Sequence, residues 1–173
     1  MEEIQGLKQR NTWETLSESD FKKLRHKVKA VLPSMAISTI KTDESGKPKR
    51  AKYRIVALGN LDPVHWHKGD TYAPVMSLIE LRLLTAIAIC NKCILKSGDV
   101  KQAFVQASLL EDEVYVVRPP KGCLDTHPPD FWRLLRPLYG LRRAPRHWYD
   151  KFRSILTSMN LQLCPNAPCI FHG

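Results

Sequence analysis

The chain is short of acidic residues. Seventeen Asp and Glu stand against 27 Lys and Arg, so the 173 residues carry a formal charge of +10 at pH 7. The isoelectric point is near 9.5. That balance argues against a basic partner and for a polyanion, nucleic acid foremost. Charge by itself does not separate RNA from DNA or from an anionic membrane surface. Long apolar runs are missing too. The longest, Leu83 to Cys90, falls well below the roughly 20 residues that a bilayer crossing requires. The opening Met1-Glu2-Glu3-Ile4-Gln5 is acidic and polar, unlike a secretory signal. A soluble intracellular protein is the expectation. The five cysteines (Cys90, Cys93, Cys123, Cys164 and Cys169) cannot all pair, which fits a reduced compartment. Cys90 and Cys93 with Cys164 and Cys169 would supply four zinc ligands, but neither pair has turn-forming glycines beside it, which weighs against a zinc site. No internal repeat or low-complexity linker divides the sequence. One domain, or part of a larger one, is expected.

What is present suffices for a packed core, with 43% hydrophobic residues. Ser17-Glu18-Ser19-Asp20 starts a helix with Ser17 as cap. Phe21, Leu24, Val28, Val31 and Leu32 continue at helical spacing until Pro33 stops the run. Met35 to Lys41 and Tyr53 to Leu58 read as two strands of a hairpin, joined by Asp43-Glu44-Ser45-Gly46-Lys47-Pro48. Lys47, Lys49, Arg50, Lys52 and Arg54 decorate its second half, either as a solvated face or as cations that close over a phosphate. Residues 60–76 read as a long loop. Ser77-Leu78-Ile79-Glu80 is a capping box that opens a helix through about Asn91, with Leu81, Leu84, Ile87 and Ala88 as its apolar face. Strands are expected at Glu113 to Val117 and at Phe131 to Leu135, on either side of a proline-rich loop over 121–130. A final helix begins near Ala144-Pro145, with Trp148, Phe152, Ile155, Leu156 and Met159 as its stripe. This order of elements gives an α+β class.

The segment Ser97-Gly98-Asp99-Val100-Lys101-Gln102-Ala103-Phe104 carries the most chemistry. Ile94 and Leu95 lead into it, so it reads as a buried strand with a carboxylate at its end. A charged carboxylate in such a place needs a cation or strong donors. Magnesium, which prefers hard oxygen ligands, is one solution. The other is an Asp that accepts backbone bonds in a turn.

Six blocks then occur in order: Asn11-Thr12-Trp13-Glu14, Lys52-Tyr53-Arg54-Ile55-Val56-Ala57, Thr71-Tyr72-Ala73-Pro74-Val75, Asp99 to Phe104, Glu113-Val114-Tyr115, and Leu138-Tyr139-Gly140-Leu141-Arg142-Arg143-Ala144-Pro145-Arg146-His147-Trp148-Tyr149. Together they resemble the reverse transcriptase of copia-type long-terminal-repeat retrotransposons, over nearly the whole chain. The resemblance implies a single partial domain over 1–173. Residues of about 1–76 would be fingers-like, and about 77–173 would form the first part of the palm of a right-hand polymerase with the remaining fingers elements. It implies RNA-directed DNA polymerase activity in the intact protein, with a DNA primer on an RNA or DNA template and deoxynucleoside triphosphates as substrates. Two Mg²⁺ (or Mn²⁺) ions would assist the transfer. The setting would be a cytoplasmic retrotransposon particle or the nucleus, with no membrane partner.

By the same resemblance, Asp99 is the first metal-binding carboxylate and the main-chain carbonyl of Val100 its companion. Lys101 and Gln102 turn their amides to the triphosphate. Phe104 crowds the sugar's 2′ carbon and rejects a ribose hydroxyl by clash. Arg54 grips the triphosphate through its guanidinium fork, with Lys52 or Lys49 as helping point charges. Tyr139 and Gly140 frame the template base and the nucleotide. Arg142, Arg143 and Arg146, beside Pro145, make sequence-independent phosphate contacts to template and primer. Trp148 and Tyr149 pack or flank the template groove.

Two departures accompany the match. The family's aromatic-x-Asp-Asp hairpin does not occur in the sequence. The chain therefore reads as truncated before it, without the rest of the palm, the thumb or the RNase H region of a polyprotein, and is not expected to polymerise alone. Leu58-Gly59-Asn60 also stands where the family more often has lysine before the glycine and an aromatic after it, which marks a divergent branch. A non-catalytic nucleic-acid-binding remnant of a decayed or truncated element is the alternative, and an unrelated basic RNA-binding domain a third reading.

Overall fold

Residues 2–122 and 131–173 are described by the computed structural model. The chain opens with helix α1 (Glu2–Gln9), strand β1 (Trp13–Leu16) and helix α2 (Glu18–Leu24). Ser17 caps α2 as its sequence predicts, its Oγ accepting from the Asp20 amide at 3.2 Å. The helix stops sooner than the apolar spacing implied. A 3-10 turn at Arg25–Lys27 ends it, and residues from Ala30 belong to strand β2 (Ala30–Thr42). The reason is tertiary: Ala30, Val31, Leu32 and Pro33 pair in parallel with strand β4 (Tyr115–Arg118). Burying Ala30 and Leu32 against that strand outweighs a weak helical pattern. Pro33 falls where β2 passes from β4 to its next partner, β3 (Pro48–Ala57), whose ladder begins at Ser34. Its missing N–H is tolerated at such a handover.

The β2–β3 hairpin matches its prediction. Asp43 builds the turn, its Oδ1 accepting from the Ser45 and Lys47 amides at 2.9 Å each. Beyond β3 come a short helix α3 (Lys68–Thr71) and the longer α4 (Leu78–Cys90). The predicted capping box is formed in α4: Glu80 accepts from the Ser77 amide at 2.6 Å, and Ser77 accepts from the Glu80 amide at 3.2 Å.

Strand β5 (Phe131–Leu134), helix α5 (Ala144–Ser158) with Pro145 in its first turn, and the small hairpin β6 (Gln162–Cys164) and β7 (Ala167–His172) complete the order. The main sheet runs β1-β5-β4-β2-β3, antiparallel except for the β4–β2 pair. Its core gathers Leu7, Leu32, Ile55, Tyr115, Val117, Trp132, Leu134, Leu138 and Leu141. The Trp13 and Trp132 rings stack at 4.2 Å across the β1–β5 pair, which aromatic cross-strand neighbours favour. The architecture is mixed α and β. Lys121 and Gly122 make a turn after β4, and the rest of the predicted loop, 123–130 with Cys123, lies outside the described residues.

A second prediction fails. No strand leads to Asp99: residues 93–100 form no helix or strand and are exposed throughout. Ile94 and Leu95 are 86% and 61% exposed, because no strand among the described residues lies beside them to satisfy their backbone groups.

Candidate functional site

The turn at Tyr139 and Gly140, between β5 and α5, is laid against the end of β3. The Ala57 amide donates to the Tyr139 carbonyl at 2.8 Å. Gly140 sits at φ +90°. A Cβ there would stand 2.0 Å from the Ala57 carbonyl oxygen and 2.7 Å from Val56 Cγ1. Gly59 is held as closely, since its Cβ would meet the Gly140 carbonyl at 2.1 Å. Two backbones therefore meet with no side chain between them, and only glycine permits it. Arg142 fastens the same junction, donating from Nε to the Gly59 carbonyl at 2.8 Å and from Nη2 to the Asn60 carbonyl at 3.4 Å.

Strand alternation puts Lys52, Arg54 and Val56 on one face of β3, opposite the buried Ile55 and Ala57. Arg54 is half-buried and has no hydrogen-bond or ion-pair partner among the described residues. Its charge nonetheless reaches Tyr139. Burial pushes the Tyr139 phenol up from its ordinary value, helped by Glu3 and Asp99, while Arg54 and Arg10 pull the other way. The Phe104 ring lies 5.1 Å from the Tyr139 ring, tilted by 59°. The fold thus collects Arg54, Asp99, Phe104, Tyr139 and Gly140 from three separate stretches of sequence.

Asp99, Val100 and Lys101 are exposed. Gln102 turns the chain inward at φ +51°. Its side chain accepts from Arg10 Nη1 at 3.1 Å and donates to the Glu3 carbonyl at 3.3 Å and to Glu3 Oε2 at 3.1 Å. Gly6 allows this approach, since a Cβ there would stand 2.7 Å from the Gln102 amide group. Gln102 is therefore anchored on α1, and only its main chain remains for a ligand. Phe104 begins a 3-10 turn through Gln106, pinned by the buried Val105 and Ala107.

The three arginines after Gly140 divide their work. Arg143 donates from Nη1 to Oε1 of the fully buried Glu113 at 2.5 Å and from Nε to the Asp70 carbonyl at 3.2 Å. Its guanidinium also covers the Trp66 ring at 5.0 Å. It acts as an internal brace. Arg146 pairs with Asp150 one helical turn on, at 2.8 Å, and lies over Tyr149. Pro145, Trp148, Tyr149 and Phe152 line an apolar cleft of about 270 Å³ with Phe104 and Phe171. His147 Nε2 stands 2.7 Å from Glu113 Oε2. Burial raises the Glu113 carboxyl, but the His147 and Leu110 hydrogen bonds and the charges of His147 and Arg143 more than offset it. The group stays below the usual carboxylate range.

The residues that fit a divalent ion are few. Magnesium takes about six oxygens in near-octahedral array, whereas Asp99 is an isolated exposed carboxylate. No group of three His, Cys, Asp or Glu side chains among the described residues would hold an ion. No helix among them is long and apolar enough to cross a membrane.

Sequence reasoning did not single out Glu113, His147, Asp62 or Arg10. Asp62 accepts from Trp66 Nε1 at 2.9 Å and from the Tyr115 hydroxyl at 3.4 Å, which fixes the loop under Arg143. A signal for part of this was available. Arg143 and His147 are four apart on a predicted helix, hence on one face, and that face requires an acceptor.

Comparison with known proteins follows the same residues. The sequence model of the family described as reverse transcriptase (RNA-dependent DNA polymerase) matches residues 11–172. The retrovirus-related Pol polyprotein from transposon RE2 of Arabidopsis thaliana is 35% identical over 124 residues, covering 71% of this chain and 8% of that protein. The corresponding polyprotein from transposon RE1 of the same plant is 33% identical with the same coverage. The polyprotein from transposon TNT 1-94 of Nicotiana tabacum is 26% identical over 170 residues, 98% of this chain and 12% of that protein. The chain thus spans about a tenth of the length of the curated relatives it matches. No solved structure matches.

Proposed function

The chain belongs to the reverse transcriptase family, in the branch carried by copia-type Pol polyproteins, and from that premise we propose that it holds the incoming deoxynucleoside triphosphate and the primer–template during RNA-directed DNA synthesis by a larger polyprotein. Residues of about 1–76 act as fingers, and those of about 77–173 as the first part of the palm with the remaining fingers elements. Arg54 takes the triphosphate, with Lys52 and the main chain of Lys101 and Gln102 beside it. Phe104 screens the sugar, and Tyr139 with Gly140 frames the base pair. Arg142 holds that frame in place from an exposed position, and the part-exposed Arg146 offers its guanidinium to template or primer phosphate. Reverse transcriptases use divalent cations. Asp99, with the Val100 carbonyl, is this chain's share of the ligands, the rest coming from elsewhere in the polyprotein.

One observation carries the reading. A half-buried guanidinium without a partner is costly, and Arg54 has no hydrogen-bond or ion-pair partner among the described residues, beside a turn on which the Phe104 ring and the Asp99 charge also converge. An anionic ligand satisfies it. The test is a chimera in which residues 11–172 replace the matching segment of an active copia-type polymerase. Arg54→Ala should raise KM for the nucleotide by roughly tenfold or more, the worth of a charge-assisted pair, with little change in duplex affinity. The reverse order of effects would move Arg54 to template contact.

A further inference from the structure

Three groups gather on the Glu113 carboxylate. Oε1 accepts from Arg143 Nη1, and Oε2 accepts from the Leu110 amide at 3.2 Å and faces His147 Nε2 at 2.7 Å. Two of these groups lie one turn apart, Arg143 at the cap of α5 and His147 within it, and the third belongs to the stretch that leads back to Phe104. A single buried anion thereby fixes the rotation of α5 about its axis and the placement of the 104–113 segment against it. Both consequences bear on the same place. Arg143 follows Gly140 by three residues, and its carbonyl accepts from the His147 amide at 3.0 Å, so the helix start and the Tyr139–Gly140 turn move as one. At the other end, the Phe104 ring rests on Tyr139.

We propose that Glu113 is a positioning residue for the nucleotide site, holding the Tyr139–Gly140 turn and the Phe104 ring in register by clamping α5 to the segment before β4. This goes beyond the family's nucleotide-contacting residues but rests on the reading that Tyr139, Gly140 and Phe104 form such a site. The chemistry of the clamp is specific. A neutral amide at 113 would keep the volume but offer one acceptor oxygen, and its NH₂ would face a donor. Buried polar networks lose disproportionately when one member is mismatched.

The test uses the full chain, kept monomeric by Leu83→Lys and Ile89→Lys on the exposed face of α4, and amide hydrogen exchange followed by NMR. In Glu113→Gln, the amides of Ala57, Leu141 and Ala144 should exchange about tenfold faster or more, while the β1–β5 ladder keeps its rates, because the opening is local. His147→Gln, which retains a donor, should keep native rates at Ala57, and His147→Leu should not. These two variants carry the test if Glu113→Gln does not fold. A uniform acceleration across all amides in the variants, or none at Ala57, would overturn the proposal by reducing Glu113 to general stability. In a second arm, dTTP should move the Gly140 amide resonance of this parent chain, and Glu113→Gln should weaken that response about fivefold or more. No response in the parent chain would overturn the nucleotide reading itself, whereas an undiminished response in Glu113→Gln would overturn only the positioning role.

Discussion

At the scale of single residues, the site is a set of unlike groups around one ring. Tyr139 is touched by Phe104 at 5.1 Å and feels the charges of Asp99 and Arg54. Phe104 is the member whose role is easiest to isolate, because its proposed function is exclusion by bulk. In the chimera, Phe104→Val should raise ribonucleotide over deoxynucleotide incorporation by roughly tenfold or more, as lost steric rejection usually permits. Competitive primer extension with both nucleotide types reads that ratio, and an unchanged ratio removes Phe104 from the gate. The arginines carry a second residue-scale lesson. Arg142, Arg143 and Arg146 look equivalent in sequence, yet one ties a backbone junction, one enters a buried network and one pairs at the surface. Their difference depends on Gly59, Glu113 and Asp150, of which only Asp150 is near in sequence.

Among elements, the legible ones were those whose signals are local. The β2–β3 hairpin announced itself by the turn-rich Asp43-to-Pro48 segment between two strand-like runs, α4 by its Ser77–Glu80 capping box, and α5 by Pro145 at its first turn. Elements set by distant partners were not. Helix α1 shows little apolar pattern, but Leu7 is fully buried and Gln102 reaches it from across the chain. The Ala30–Leu32 stretch became strand because β4 lies beside it. The junction of β3 with the Tyr139–Gly140 turn was half legible. The Tyr139–Gly140 motif marked a functional turn, but only the structure shows that Gly59 meets it. Gly140→Ala combines a left-handed φ with a 2.0 Å clash against backbone and should cost about 2 kcal/mol or more of stability. Urea unfolding measures it, and a cost near zero would mean that the turn relaxes freely.

For the whole molecule, the surface matters more than the core. Helix α4 buries none of its residues: Ile79 is 77%, Leu83 59% and Ile89 68% exposed, with Ile94 and Val100 continuing the patch. A helix apolar all round is ordinarily interior, and so large an exposed patch promotes association. The isolated chain should therefore elute as oligomer or aggregate on size exclusion, and Leu83→Lys with Ile89→Lys should shift it towards monomer. Clean monomer in the unaltered chain would contradict this. The positive charge of the chain fits a nucleic-acid partner, but charge does not distinguish a polymerase from a binding module. Asp99 does. The most direct measurement is primer extension by the chimera with Asp99→Asn. The account predicts a fall of at least about 100-fold in rate, as for loss of an electrostatic group at the reacting centre, with duplex affinity kept. Extension at an unchanged rate would contradict it.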